Sequence, residues 1–455
     1  MFSVGEIAAI VLGELMNGGE ETPRRIVHDS RDVQAGDLFV ALPGTRTDGH
    51  AFLEEAFRRG ACSAILSDRG RAPASARGLI LVPDPLAALQ KLAGAWRDQQ
   101  TAKIVAITGS NGKTTTRSLL AHLLQWGRSV HEAPANYNTE IGLPLALLGM
   151  PDSAEVGVFE LGTEHPGEIG LLAKILRPTI AILTGVGPSH LDGFGSLDAI
   201  AKEKWSLVDG LPSDGVVLVN SDSEPIRPCI DADQQRADGT PFDLVTVGLS
   251  SGGFRGRVIE AVPRLLIEVN EPRLRLETSL LGRHNAANVL LAAAAAHRLG
   301  LPPHVIEERA KTFEPIPHRL RPLSAPFGTV LDDTYNANPA SMKAALDVLA
   351  GFGPPSARRG FVFGDMLGLG SASARHHLEI LDLAFDSGID FIVPVGEHAS
   401  AACLSRSSSQ VLFAEPEELP VRVRERLTGP EDVLLIKGSR ALALERLVDE
   451  LLSRG

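Results

Sequence analysis

The stretch "KIVAITGSNGKTTTRSLLAHLL", residues 103–124, constrains the fold of this chain more than any other. An apolar run suited to a buried strand leads into a glycine-containing turn. Leu119, Leu120, Leu123 and Leu124 then recur at helical spacing. Strand, glycine-rich loop and helix in that order point backbone N–H groups at an anion, aided by the positive end of the helix. The common phosphate-loop pattern G-x-x-x-x-G-K-[ST] ends correctly at Gly112, Lys113 and Thr114, but its first glycine falls on Ile107. What remains is a shorter loop, whose nucleotide-contacting candidates are Gly109, Ser110, Asn111, Gly112, Lys113, Thr114 and Thr115. Lys113 is placed to reach β/γ-phosphates and the Thr114 hydroxyl to ligate Mg²⁺. The competing reading is an ordinary strand–helix turn with a surface lysine.

Around this loop, strand-like runs alternate with helical patterns, the mark of α/β architecture. With 455 residues, about three domains are expected. Residues 1–100 form a first α/β block, with strands at "DLFVAL", "SAIL" and "LILV". Residues 101–314 form a central phosphate-loop ATPase-type block to which an antiparallel stretch, "RLLIEVN" and "RLRLETSL", is added. It closes with the helix "NAANVLLAAAAAHRLG", Asn285 being placed as N-cap and Gly300 as stop. The proline-rich "FEPIPHRLRP" reads as a linker into a Rossmann-like block, residues 315–455, with strands at "TVLDDT", "GFVFGD", "FIVPVG" and "VLLIKG". No G-x-G-x-x-G follows those strands, so this outline alone implies no cofactor.

A net charge of −12, without a basic run, argues against a nucleic-acid partner. Cys62, Cys229 and Cys403 lie far apart, as reduced thiols of a cytoplasmic protein would. The N-terminal stretch carries Glu6 and Glu14 inside its apolar run, so it reads as a helix opened by a Ser3/Glu6 capping box rather than a signal peptide. The longest apolar run, residues 289–296, is too short to span a bilayer. A soluble, cytoplasmic monomer is expected.

"TGSNGKTTT" resembles the ATP-binding loop of the Mur ligases, ATP-dependent amide-forming enzymes of peptidoglycan precursor synthesis, whose shorter loop needs no glycine at the position of Ile107. The resemblance covers the whole chain. "HDSRDVQAGDLFVALPGTRTDGHAF" is similar to the family's UDP-sugar-binding N-terminal domain, and "NYNTEIGLP", "FELGTEHPGEI", "HLDGFGSLDAIAKEK", "LGRHNAANVLLA" and "LDDTYNANPASM" follow in order. The last, with no "YAHTPDAL"-like or "DNPR"-like stretch, sets the chain apart from the diaminopimelate- or lysine-adding members. The resemblance therefore implies a ligase that uses ATP and Mg²⁺ to join D-alanyl-D-alanine to UDP-N-acetylmuramoyl-tripeptide through an acyl phosphate. Open alternatives are another ligase of the superfamily, a silent nucleotide-binding scaffold, and a small-molecule kinase.

Glu160 ends the strand-like "VGVFE", where a carboxylate projects at the carboxyl edge of a sheet. It reads equally as a surface residue and as a Mg²⁺ ligand beside Thr114. His190 follows the strand "TIAILTGV", and its roles as metal ligand and catalytic residue rest on the resemblance. Lys204 falls within the apolar stripe of "SLDAIAKEKWSLVDGL", set by Leu197, Ile200, Leu207, Val208 and Leu211, while Lys202 points away. A lysine inside such a face snorkels, pairs or is chemically altered. The resemblance implies a carbamylated lysine, giving Lys204 catalytic and metal roles beside Lys113.

The resemblance also places Asn285 and Asn288 near the adenine, and Arg319 and Asp333 against ATP, with Asp333 at the ribose. Ser30 and Arg31 fall to the uridine nucleotide, Asn138 and Thr139 to the reacting peptide end, and Asn336 and Asn338 to the dipeptide; each also reads as an ordinary structural loop residue. The chain departs from the family at Gly368, where glutamate is usual.

Overall fold

The computed structural model describes residues 1–44, 47–74, 76–187, 191–232, 242–406, 408–427 and 429–453. Among these the chain builds three sheets, one for each block of the sequence. The first helix, Val4–Val11, opens with the expected capping box: the Ser3 N–H donates to Glu6 Oε2 (2.8 Å) and the Glu6 N–H to Ser3 Oγ (3.3 Å). Its Val4, Ile7 and Val11 face inward at i, i+3 and i+7 spacing. The N-terminal sheet runs Glu14–Leu15, Leu79–Leu81, Ser63–Leu66, Leu38–Val40, Ile26–Val27, parallel except for the first strand.

In the central sheet Lys103–Thr108 lies between Val156–Glu160 and Ile180–Leu183, all parallel. These strands are buried on both faces, which explains their unbroken apolar sequence. Beyond Val216–Asn220, Asp243–Gly248 and Phe254–Glu260, the expected antiparallel pair Leu265–Val269 and Leu274–Thr278 extends the sheet. The helix Asn285–Arg298 shares one core with the loop helix Lys113–Leu124 and is apolar all round because it is covered all round. Gly300, at φ +90°, follows it as the expected stop. Asn285 is not its N-cap. It is the first helical residue, and its side-chain amide donates to the Leu281 carbonyl (2.8 Å), a tertiary bond that helical spacing alone could not reveal.

The C-terminal sheet runs Arg321–Ala325, Gly328–Asp333, Asp432–Lys437, Arg359–Gly364, Phe391–Val395. The last four are parallel, with Pro339–Gly351 and Ser373–Asp386 packed on one face and Leu419–Arg426 and Glu445–Ser453 on the other. That is the expected doubly wound arrangement. The end of the proline-rich linker differs: "RP" begins an antiparallel edge strand, where a proline costs no interior ladder bond.

Candidate active site

The carboxyl ends of the central and C-terminal sheets face each other across a cleft of about 750 Å³. Ligands of open α/β sheets bind at such strand ends. From the central domain the cleft receives Ser110–Thr115, Asn138, Glu160, Asn285 and Asn288, and from the C-terminal domain Arg319, Asp333, Asn336 and Asn338. Sequence candidates more than two hundred residues apart thus share one wall-to-wall site.

Two glycines shape the loop. Gly112, at φ +83°, precedes the helix Lys113–Leu124, and a Cβ there would overlap the Asn288 side-chain oxygen. A Cβ on Gly109 would collide with the Thr184 hydroxyl. Lys113 folds back so that Nζ donates to the Gly109 carbonyl (2.8 Å). Burial pushes its pKa below the usual lysine value, against the pull of Glu160.

Glu160 is buried at the end of its strand and accepts three hydrogen bonds: from Thr114 Oγ1 (2.9 Å), Asn138 Nδ2 (2.8 Å) and Arg117 Nη1 (3.4 Å). Arg117 also reaches Glu132 (3.0 Å). Arg319 Nη2 donates to Thr114 Oγ1 (3.2 Å) and its guanidinium lies 3.8 Å above the Tyr335 ring centroid. Its neighbours His318 and Leu320 both sit at positive φ, 64° and 51°. Such backbone is disfavoured for side-chain-bearing residues, and it aims Arg319 across the domain boundary. Two further bonds cross that boundary: Asn338 Nδ2 to Asn111 Oδ1 (2.9 Å), and the Tyr335 hydroxyl to Asn136 Oδ1.

Lys204 is 3% exposed, whereas Lys202 is exposed. The stripe that singles it out is carried by a helix Leu197–Trp205 and a 3₁₀ turn Ser206–Gly210 rather than by one continuous helix, and of its members Ile200, Leu207, Val208 and Leu211 are buried while Leu197 is exposed. Burial, with the nearby Lys113 charge adding to it, pushes the Lys204 pKa down to about 7. Lys204 does not line the cleft, although it lies close enough to Lys113 to feel its charge. His190 lies outside the described residues. Ser30 and Arg31 do not line the cleft; they lie in the N-terminal domain, where Arg31 pairs with Asp29 (2.5 Å). Thr139 accepts from the Gly142 N–H (3.2 Å) at the start of a helix.

Sequence reasoning missed Lys437, Tyr335 and Arg117. Lys437 is 1% exposed and follows the apolar run Val433–Ile436 at the end of its strand, a lysine in apolar company as Lys204 is.

As to a nucleotide and its metal, a buried cation beside a glycine turn, and a hydroxyl and carboxylate side by side, are the donor set a Mg²⁺-bound triphosphate needs. Among the described residues no group of three or more His, Cys, Asp or Glu side chains comes together to hold a metal.

Fold and cleft together define a three-domain α/β protein that closes a phosphate loop against a Rossmann-like domain. The model "Mur ligase family, catalytic domain" matches residues 24–97, "Mur ligase middle domain" residues 107–296, and "Mur ligase, glutamate ligase domain" residues 318–440. The chain is 32% identical to the UDP-N-acetylmuramoyl-tripeptide–D-alanyl-D-alanine ligase of Bacillus subtilis, over 99% of this chain and 98% of that protein. The crystal structure of MurF from Acinetobacter baumannii is similar with a TM-score of 0.88 at 28% identity, covering 100% of this chain and 99% of that one. The MurF ligase of Thermotoga maritima in complex with ADP is similar at 0.82 and 26%, covering 94% and 97%. The chain belongs to the Mur ligase family.

Proposed function

We propose that the chain is an ATP-dependent ligase that joins D-alanyl-D-alanine to UDP-N-acetylmuramoyl-tripeptide, in the cytoplasm. The full-length likeness to ligases of that activity carries the reading, and a cleft built by the phosphate loop and the C-terminal domain supports it. Domain boundaries near residues 100 and 314 fit the three sheets.

ATP supplies the phosphoryl group that activates the tripeptide's terminal carboxylate as an acyl phosphate, and Mg²⁺ offsets charge on the phosphates. Lys113 and the loop N–H groups hold the phosphates, with Thr114 and Glu160 as the ligands this chain offers the metal. Arg319 and Asp333 hold the nucleotide from the far side, so domain closure excludes water from the activated carboxyl. The dipeptide amine then attacks that carbonyl, an amide bond forms, phosphate leaves, and the amine gives up a proton. Asn138 and Asn338, which both line the cleft, are the side chains this reading sets beside the reacting groups. Lys204, neutral in part near pH 7, is suited to add CO₂: the neutral amine nitrogen bonds to the carbon, one proton is released, and the amine becomes a carbamate anion.

The test measures phosphate release with UDP-N-acetylmuramoyl-tripeptide and ATP, with and without D-alanyl-D-alanine. Release and amide product that both need the dipeptide are expected. Release indifferent to the dipeptide, with no amide formed, would sink the reading.

A further inference from the structure

One buried histidine plays no part in the chemistry above. His377 is fully buried in the helix Ser373–Asp386, with both ring nitrogens engaged. Nδ1 lies 2.8 Å from the Ser373 carbonyl, which can only accept, so Nδ1 carries the proton. Nε2 is therefore the acceptor for the Met366 N–H at 3.0 Å. The next amide, Leu367 N–H, donates to Ser439 Oγ (2.8 Å), and the Ser439 N–H returns a bond to the Asp365 carbonyl (2.9 Å). The Asp365 carboxylate in turn accepts from the Ala399 N–H (2.7 Å) at the start of the helix Glu397–Leu404. Side chains from separate elements thus fix consecutive peptide units of one short loop.

That loop faces the cleft. Leu367, Gly368, Leu369 and Ala372 line it, together with Ala340 and Ala344 of the helix Pro339–Gly351. Leu367 is 46% exposed, an unusual position for leucine in a segment so firmly anchored. Gly368, at φ +73°, lets the chain turn there with no side chain in the way. Lys113 and Glu160 belong to the other wall, the C-terminal cations Arg319 and Lys437 are engaged by Thr114 and Asp333, and Met366–Leu369 itself carries no charged side chain. Small apolar side chains suit methyl groups instead.

We infer that His377 is a positioning residue for the acyl acceptor: as a neutral acceptor it holds Met366–Leu369 as an apolar ledge that seats the methyl groups of D-alanyl-D-alanine. The inference rests on the ligase reading above. Unpinned amides would let the ledge move and weaken the acceptor alone, since nucleotide contacts lie elsewhere in the cleft.

The experiment measures initial rates of amide formation, varying D-alanyl-D-alanine and ATP separately. His377→Leu leaves the Met366 N–H without its partner and raises KM for the dipeptide about tenfold. KM for ATP and kcat stay within about twofold, the size of change expected where no contact is lost. His377→Gln, whose side-chain carbonyl can accept the same bond, restores most of the loss. Ser439→Ala, which frees the neighbouring amide, shifts the same constant and serves if His377→Leu fails to fold. An unmoved dipeptide KM in both His377→Leu and Ser439→Ala, equal rises for dipeptide and ATP, or no rescue by glutamine would overturn the inference while leaving the ligase reading intact. A wild-type chain that forms no amide refutes both.

Discussion

The Lys437 ammonium stands 2.6 Å from the Asp333 carboxylate and 2.8 Å from the Asn336 carbonyl, tying together the ends of two adjacent parallel strands where they meet the cleft. The second Asp333 oxygen accepts from the Leu320 N–H (3.1 Å), so the carboxylate is held on two sides before any ligand arrives. Lys437→Met strands that carboxylate in a largely dry place, at a cost of about 3 kcal/mol. Calorimetry is expected to show a lower Tm, and steady-state kinetics a raised KM for ATP. An unchanged Tm would contradict the pairing.

Glu160→Gln keeps the size of the side chain and removes its charge. Arg117 retains Glu132 at 3.0 Å, so the fold should survive. The rate at saturating ATP is expected to fall by about a hundredfold or more. The Mg²⁺ concentration giving half-maximal rate should rise as well. A variant with ordinary Mg²⁺ dependence would remove Glu160 from the metal site.

Lys204 predicts a pH profile. Its folded pKa is about 7 against an ordinary 10.5. The neutral amine, the only form that adds CO₂, therefore grows as pH rises through about 7. Carbamate content, read by ¹³C NMR with labelled bicarbonate, should climb between about pH 6 and about pH 8. The stability linkage has the same sign. The unfolded chain holds the proton more tightly, so the lysine opposes folding most below pH 7 and less as pH climbs from there toward 10.5. Lys204→Ala should be inactive alone and recover with short carboxylic acids; full activity unaided would rule the carbamate out.

Burial pushes the Cys403 thiol up to about 12, while Cys62 is only half-buried. Iodoacetamide at about pH 8 attacks thiolate, so Cys403 should stay unmodified in the folded chain and react once denaturant is added. Mass spectrometry of digested protein reads this directly. Early labelling of Cys403 would mean that the helix Glu397–Leu404 opens readily.

How legible was the site? Periodicity alone separated buried Lys204 from exposed Lys202, because a helical stripe is a physical consequence of burial. The strand–loop–helix unit around Gly112 was readable for the same reason: its turn chemistry is local. The bond from Asn285 to Leu281, and the cation of Lys437 beneath Asp333, depend on which strands and helices become neighbours. No spacing in the sequence encodes that order. His377 was hidden differently, since its partner is a backbone amide, and an amide leaves no trace in a string of side chains.

The strand Asp432–Lys437 is the last to leave the ribosome among the described strands, yet it lies in the middle of its sheet, between Gly328–Asp333 and Arg359–Gly364. Until it is synthesised, those two strands have no ladder between them, and the phosphate loop has been waiting for the whole intervening span of translation. Domains made earlier fold earlier, so the nascent chain carries a finished nucleotide loop facing an unfinished wall. A prematurely terminated chain is in the same position: it keeps Lys113 and lacks Lys437. Late insertion of this central strand thus makes Lys437 the last of the described cleft-lining residues to be synthesised.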